Sequence, residues 1–221
     1  MNTLAIRKYQ PNDLIAVKEI TYRTGFKGED LTGRNFIDDK YLFFLIFIGY
    51  YPRYEPEHFF VSTDTHTNDL VGFICGTPDT AAQGRRFRWK IIPRLIFRGI
   101  TCTTWRYPRT LKMLFQMSSM RHYFDAEVIK KMQTEYPAHL HINILSEYQR
   151  IGLGTRLIHT FEEHLENLGV SGVHLETSNH NKKAVLFYKK MGYTIVYETK
   201  VVPHPVLDDL RFIGFAKRLE S

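Results

Sequence analysis

The segment from Ala138 to Leu168 constrains the fold of this chain most, because a strand, a glycine-containing turn and an amphipathic helix follow one another directly. Ala138 to Leu145 alternates in polarity and is predicted as a strand. The turn is Gln149-Arg-Ile-Gly-Leu-Gly-Thr155. From Gly152 onward, apolar residues recur at helical spacing. The apolar stripe of this helix consists of Leu153, Leu157, Ile158, Phe161 and Leu165.

This turn is predicted to bind an anion. The first amides of a helix lack intrahelical partners, and the helix dipole is positive at that end. Gly152 and Gly154 would let a bulky anion such as a pyrophosphate approach the backbone closely. Close packing at the start of the helix is the alternative explanation of both glycines. The dinucleotide fingerprint is excluded because Leu157 stands where its third glycine is required, and no P-loop is present.

The other predicted elements complete a mixed fold. Before this segment come a strand at Thr3–Lys8, a helix that opens at Pro11, and a hairpin of strands at His58–Ser62 and Asp69–Cys75. After it come strands at Gly172–Thr177, Tyr193–Val202 and Leu210–Ala216, and a helix at Asn181–Met191. The span from Asp79 to Pro137 has helical periodicity and is predicted as a helical insertion rather than a separate domain. We therefore expect one domain over residues 1–221.

The composition excludes several classes of protein. Of the 221 residues, 43% are hydrophobic and 24% charged, which is ordinary globular usage and not that of a disordered, collagen-like or coiled-coil chain. The formal charge of +7 favours anionic partners, such as a phosphorylated cofactor, a membrane surface or nucleic acid. The basic residues concentrate in Arg85, Arg86, Arg88, Lys90, Arg94 and Arg98. A solvated helix face explains them equally, and no nucleic-acid-binding signature is present.

The cysteines and the apolar segments indicate a cytoplasmic protein. Cys75 and Cys102 cannot form a disulfide framework and are expected to be free thiols in a reducing compartment. The first residues lack the apolar core of a signal peptide. The longest apolar run, Tyr41 to Tyr51, is about half of what a membrane-spanning helix needs. No membrane partner is therefore expected.

Two motifs resemble one family. Gln149-x-x-Gly152-x-Gly154 resembles the Q/R-x-x-G-x-G/A pyrophosphate loop of the GNAT superfamily, the acyl-CoA-dependent N-acyltransferases. The segment from Asn181 to Tyr193, NKKAVLFYKKMGY, is similar to the N-x-x-A-x-x-F/L-Y-x-x-x-G-F/Y signature of the same family. The order of elements between the two motifs also agrees, and the resemblance covers Ala138 to about Lys200.

A narrower resemblance involves other segments. Tyr136–Leu145, together with Gly49–Tyr51, Glu55-Pro56 and Phe60-Val61, resembles bacterial acetyltransferases related to the acetyltransferase-like C-terminal domain of O-GlcNAcase. This subgroup matters because such domains need not be catalytically competent.

The family resemblance implies an α/β (α+β) fold. Its central sheet would be mixed but mostly antiparallel, with about seven strands flanked by helices and the insertion between strands 3 and 4. It also implies acetyl-CoA as the cosubstrate. No metal is expected, because no third ligand is evident at motif spacing from His139 and His141. The strand Ile142–Ile144 would splay from its neighbour and bind the pantetheine arm. The residues expected to contact the cofactor are Ile142, Asn143, Ile144, Gln149, Arg150, Ile151, Gly152, Leu153, Gly154, Thr155, Asn181, Ala184 and Tyr188.

Catalytic roles also follow from the resemblance. Tyr188 matches the tyrosine that protonates the departing thiolate, and Glu176 matches a glutamate used as a base by some members. An exposed strand glutamate explains Glu176 equally. His139 and His141 share one face of their strand, and a structural, a metal-binding or a catalytic role stays open for both. Aromatic residues from Tyr50 to Tyr54 and Glu55 are expected to shape the acceptor pocket, or to pack the insertion against the sheet.

We therefore predict an N-acetyltransferase that transfers an acetyl group to a primary amine by direct attack, without a covalent enzyme intermediate. The alternative is a catalytically silent acetyl-CoA-binding sensor or interaction module. Binding of nucleic acid through Arg85 to Arg98 is a weaker third possibility. The identity of the acceptor and a homodimeric state are left open by the sequence.

Overall fold

The computed structural model describes residues 4–25, 30–31, 38–103, 106–204 and 207–220, apart from the side chains of residues 102, 103, 117, 119 and 121. Within this part of the chain seven strands form one sheet: β1 (Leu4–Lys8), β2 (Phe59–Asp64), β3 (Leu70–Thr77), β4 (Ala138–Ile144), β5 (Gly172–Ser178), β6 (Thr194–Glu198) and β7 (Phe212–Arg218). Their order is β1-β2-β3-β4-β5-β7-β6. Only the β4–β5 pair is parallel. The predicted mixed, mostly antiparallel sheet is confirmed.

Helices cover both faces of the sheet. They are α1 (Leu14–Arg23), α2 (Lys40–Phe47), α3 (Tyr51–Tyr54), α4 (Thr80–Lys90), α5 (Ile92–Arg98), α6 (Pro108–Met120), α7 (Ala126–Glu135), α8 (Leu153–Glu166) and α9 (Lys182–Lys190). A π-helical turn at Gly99–Thr103 follows α5, and short 3-10 turns lie at Pro11–Asp13, Pro56–His58, Arg121–Tyr123 and Ser146–Tyr148. None of the described helices is long and apolar enough to cross a membrane.

The core has one part on each face of the sheet. On the first face, the predicted apolar stripe of α8 is buried against Leu140 of β4 and Leu175 of β5. Burying a large apolar side chain contributes about 1.5–3 kcal/mol. On the second face, residues of α1 and α2 such as Val17 and Phe44 pack on Phe73 of β3. The second face carries the polar side chains of β4 and β5.

The sheet opens between β4 and β5. Only Ala138↔Val173 and His139↔His174 pair in register, so Ile142–Ile144 has no partner on β5. Both strands remain paired on their other sides, β4 with β3 and β5 with β7. This opening forms a cleft at the start of α8 and α9.

The segment between β3 and β4 consists of α4 to α7 and short helical turns in its described residues. It packs on the second face, where the ring centroids of Phe87 and Tyr50 are 6.3 Å apart. Trp105 and the side chain of Cys102 lie outside the described residues. Cys75 is a buried free thiol whose pKa is raised by burial. That residues 1–221 form one domain stays a prediction.

Candidate active site

The cleft between β4 and β5 has a volume of about 850 Å³. The structure brings most of the predicted site residues to its walls: Ile142, Asn143, Ile144, Gln149, Arg150, Gly152, Gly154, Thr155, Glu176, Asn181, Ala184 and Tyr188. Two do not line it. Leu153 is buried in the core beneath α8, and the side chain of Ile151 is exposed to solvent. Their backbone groups belong to the same turn.

The start of α8 has the features of an anion site. Gly152 is the N-cap residue, with a φ of 85°, and no side chain caps the helix. A left-handed conformation of this kind favours glycine. The first amides of α8 therefore have no capping side chain, and they lie at the end of the helix that borders the cleft.

Gly154 has a packing role as well. A Cβ atom there would lie 3.2 Å from Cζ of Phe187 on α9 and 3.5 Å from Cδ1 of Ile144. The glycine thus allows the first turn of α8 to lie against α9. Close packing, the alternative explanation offered by the sequence, therefore applies to Gly154. It does not apply to Gly152, because a Cβ atom there would have no other atom within 4 Å.

Two polar residues of the motifs hold the cleft in shape. The Gln149 amide donates to the Ile144 carbonyl at 2.9 Å and ties the turn to the end of β4. Asn181 caps α9, since its side-chain oxygen accepts from the Ala184 amide at 3.2 Å. Lys183 and Lys190 of α9 also line the cleft and add to the positive charge of Arg150. Sequence reasoning missed these lysines because nothing in their spacing separates them from any solvated helix face.

Tyr188 lines the cleft. Its ring is 8% exposed and packs on Tyr193 and Phe215. The hydroxyl makes no hydrogen bond to the residues that the structure describes, although the residue lines the cleft. Burial raises the pKa of Tyr188 far above its ordinary value, so the phenol stays protonated at neutral pH. A protonated hydroxyl of this kind can donate a proton to a developing anion.

Glu176 lies on β5, on the second face of the sheet. Its carboxylate accepts a hydrogen bond from the Tyr197 hydroxyl, and it stands opposite Gly214 in register. A side chain at Gly214 would overlap the ring of Tyr197, so glycine there allows Tyr197 to reach Glu176. The residue is exposed to the open cleft. Desolvation of the carboxylate raises the pKa of Glu176, although the Tyr197 hydrogen bond acts in the opposite direction.

A chain of hydrogen bonds leads from the cleft into the insertion. His141 Nε2 is 3.1 Å from the Tyr51 hydroxyl, which also bonds His139 Nε2. His139 Nδ1 is 2.8 Å from the Thr80 hydroxyl, and Thr80 donates to the Pro137 carbonyl at 2.8 Å. Because a carbonyl only accepts, this last bond sets the direction of the whole chain.

The direction of these hydrogen bonds assigns the tautomers of His139 and His141. Thr80 gives its one proton to Pro137, so it accepts from His139 Nδ1–H. His139 Nε2 then accepts from the Tyr51 hydroxyl, and the Tyr51 oxygen accepts from His141 Nε2–H. His141 is left with a lone pair on Nδ1, which bonds no described residue. Burial and the neighbouring His174 lower the pKa of His141 to about 4, so this ring is neutral at pH 7.

The same histidine lines a second, smaller pocket. This pocket has a volume of about 270 Å³ and is mostly apolar. Its walls are Ile46, Phe47, Tyr51, Gln83, Gly84, Phe87, His139 and His141, none of which is a Lys, Arg, Asp or Glu. His141 therefore stands where the pocket meets the cleft.

The other aromatic residues predicted for an acceptor pocket have different contacts. The Tyr50 hydroxyl donates to buried Glu55 at 2.8 Å, and the Tyr54 hydroxyl accepts from Arg94 at 2.8 Å. Both tyrosines pack the insertion against the sheet, which is the alternative role stated above. The part of the chain that the structure describes holds no group of three His, Cys, Asp or Glu side chains able to bind a metal ion.

Comparisons with known proteins agree with this geometry. Residues 123–193 match the model of the acetyltransferase (GNAT) family. The crystal structure of SsHAT is similar over 99% of this chain and 100% of that one, with 27% identity and a TM-score of 0.70.

Two further solved structures share the fold at lower identity. YncA from Salmonella typhimurium, a putative acetyltransferase solved with its cofactor acetyl-CoA, is 13% identical over 99% of this chain and 95% of that one, with a TM-score of 0.58. Naa20 from Chaetomium thermophilum, solved with a bisubstrate analogue, is 19% identical over 97% and 86%, with a TM-score of 0.54. Residues 123–193 of this chain therefore match the GNAT family of acetyltransferases, and the chain as a whole shares the fold of these solved structures.

Proposed function

We propose that the protein transfers an acetyl group from acetyl-CoA to a primary amine by direct attack on the thioester. The observation that carries this proposal is the cleft itself, whose walls include both the uncapped N-terminus of α8 and Tyr188.

The chain offers complementary groups for each part of the cosubstrate. The amides of residues 152–155 suit a pyrophosphate, and Arg150, Lys183 and Lys190 supply positive charge nearby. Backbone groups of Ile142–Ile144 that β5 leaves unpaired are free to bond an amide-containing arm and to stabilise charge on a thioester oxygen. Tyr188 then donates its proton to the departing sulfur.

His141 is the base in this proposal. A nitrogen that has attacked a carbonyl carries positive charge and is more acidic than a free ammonium group, so a weak base is sufficient to accept its proton. The Nδ1 lone pair of His141 is available, while Nε2–H is held by Tyr51. Glu176, on the same face of the sheet, is the base that the family resemblance implies, and it is tested in parallel.

The second pocket is the proposed binding site for the group that carries the acceptor amine. Because its walls are mostly apolar and contain no Lys, Arg, Asp or Glu, it favours an amine attached to an uncharged, largely apolar group. Its volume of about 270 Å³ limits this group to the size of a small aliphatic chain or one aromatic ring. Polyamines and sugars would leave polar groups desolvated without partners there.

Two measurements test the proposal. Calorimetry with acetyl-CoA tests binding, and CoA release over a panel of amines tests transfer, with butylamine and phenethylamine expected to exceed putrescine and glucosamine. Gly154→Glu and Lys183→Glu both place negative charge at the cleft and should abolish or strongly weaken binding. Lys183 is exposed, so its variant does not threaten the core, and Ile15→Glu on the exposed side of α1 is the matched control.

The outcomes separate the two functions considered. Unchanged affinity in folded Gly154→Glu and Lys183→Glu would contradict the placement of the cosubstrate. Tight binding without CoA release for any amine would contradict catalysis and support the acetyl-CoA-binding module.

A further inference from the structure

The positive charge of this chain lies in one segment. Between Thr80 and Phe124 the sequence contains ten Lys and Arg residues and no Asp or Glu. The whole chain contains 30 and 23, so the remainder holds 20 basic and 23 acidic residues and is itself slightly acidic. The net charge of +7 therefore describes this segment and not the acetyltransferase scaffold.

The first helices of this segment are apolar on two sides. α4 and α5 are joined by helical hydrogen bonds, from the Ile91 amide to Phe87 and from the Leu95 amide to Ile91. Phe87, Ile91 and Leu95 face the protein and pack in the core of the second face. This inner stripe fixes the two helices to the domain.

A second stripe faces solvent. It consists of Trp89, Pro93, Ile96, Phe97 and Ile100, at spacings of three, four or one residues that place them on one side of a helix. Trp89 is 78% exposed, Phe97 70% and Ile100 66%. We call these five residues the outer stripe. A helix that is already packed through one apolar face does not need a second one for folding.

The six Lys and Arg residues of α4 and α5 also form two groups, one bonded to the protein and one exposed to solvent. Three of them bond protein groups: Arg86 pairs with Glu55, Arg98 with Asp39, and Arg94 donates to Tyr54. Three others, Arg85, Arg88 and Lys90, are exposed and pair with no described carboxylate. These three, which we call the outer cations, lie in the same turns of α4 as Trp89.

We propose that the outer stripe and the outer cations bind the surface of an anionic lipid bilayer, with α4 and α5 lying in the plane of the interface. Exposed Trp, Phe and Ile beside Arg and Lys is the composition of interfacial helices, whose apolar side chains enter the lipid while the cations bond phosphate headgroups. Duplex or single-stranded nucleic acid would use the cations but would leave Ile96, Phe97 and Ile100 without apolar partners. The proposal departs from the sequence-based expectation of no membrane partner, which stays a prediction until binding is measured.

Co-sedimentation with vesicles tests the proposal on the full chain. Vesicles of phosphatidylcholine with phosphatidylserine should bind the protein, and vesicles of phosphatidylcholine alone should not. Arg85→Gln/Arg88→Gln/Lys90→Gln should weaken binding about a hundredfold, because each cation near an anionic membrane contributes roughly fivefold. Trp89→Ser and Phe97→Ser should each weaken it at least about tenfold. Ile15→Ser, an equally exposed apolar residue on α1, should leave it unchanged.

Fluorescence gives an independent measurement of insertion. In Trp105→Phe, Trp89 is the one tryptophan left, and its emission should shift to shorter wavelength on vesicles that contain phosphatidylserine. Absence of binding to those vesicles at physiological salt would overturn the proposal. So would binding that Trp89→Ser and Phe97→Ser leave intact, or binding of a DNA or RNA duplex in preference to vesicles.

Discussion

The desolvated histidines next to the cleft predict an acid-sensitive fold. The pKa of His141 is about 4 in the folded protein, against about 6.5 in an unfolded chain. Between these two values the unfolded chain binds more protons than the folded one, so stability falls as the pH falls from about 7 toward 4. Burial lowers the pKa of His139 and His174 as well, and both contribute in the same direction.

The size of the effect can be calculated for His141 alone. A single group with pKa values of about 4 folded and about 6.5 unfolded lowers the free energy of unfolding by about 2 kcal/mol between pH 7.5 and pH 5.0. Typical domains have a free energy of unfolding of about 5–15 kcal/mol, so this loss is readily measured. His139 and His174 make the total larger.

Urea unfolding at pH 7.5 and 5.0 is the assay. His141→Gln removes the titrating ring, so the difference in unfolding free energy between the two pH values should shrink by about 2 kcal/mol. The variant also disturbs the bond to Tyr51 and should be less stable at both pH values, which is why the difference is compared. His66→Gln, in the exposed turn between β2 and β3, is the matched control and should keep the full difference.

The difference in unfolding free energy of His141→Gln between pH 7.5 and pH 5.0 tests whether His141 is neutral in the folded protein. If it equals that of the unmodified protein and of His66→Gln within about 0.5 kcal/mol, then His141 is not a buried neutral histidine. The tautomer assignment, which requires a neutral His141 with a free Nδ1, would then be wrong as well.

Three further outcomes concern catalysis and the insertion. Tyr188→Phe should bind acetyl-CoA nearly as well as the unmodified protein but lower kcat by about 10²–10⁴, as measured with the best amine of the panel. His141→Gln should lower kcat more than Glu176→Gln in the same assay, and the reverse order would assign the base to Glu176. Phe87→Ala, which enlarges the proposed acceptor pocket, should raise the rate with bulkier apolar amines relative to butylamine, and an unchanged ratio would place the acceptor elsewhere.

The sequence predicted the sheet and most of the cleft because their determinants are local. The glycine turn, the stripe of α8 and the Asn181 motif lie within about sixty residues of one another, and each encodes its own element. The position of Tyr188 follows from the helix that this motif begins. The opening between β4 and β5 was expected from the family resemblance and is confirmed by the register of the two strands.

The hydrogen bonds that link His141, Tyr51, His139 and Thr80 could not be predicted because these residues are distant in the sequence. Tyr51 reaches His139 and His141 across about ninety residues, and Thr80 reaches His139 from the start of the insertion. Alternation placed both histidines on one face of β4, but it gave no partner and hence no tautomer. The contact of Tyr197 with Glu176 likewise depends on Gly214, on a third strand. The O-GlcNAcase-related subgroup stays a prediction.

The short pairing between β4 and β5 also affects how the molecule unfolds. The sheet consists of a four-strand part, β1 to β4, and a three-strand part, β5 to β7, which share only two residue pairs. Each part has a nearly complete hydrogen-bond ladder of its own, so the two are expected to behave as separate units of amide hydrogen exchange. A molecule bound across the cleft would add contacts to both parts at once. Binding of the cosubstrate should therefore slow exchange in both units together and merge two opening events into one.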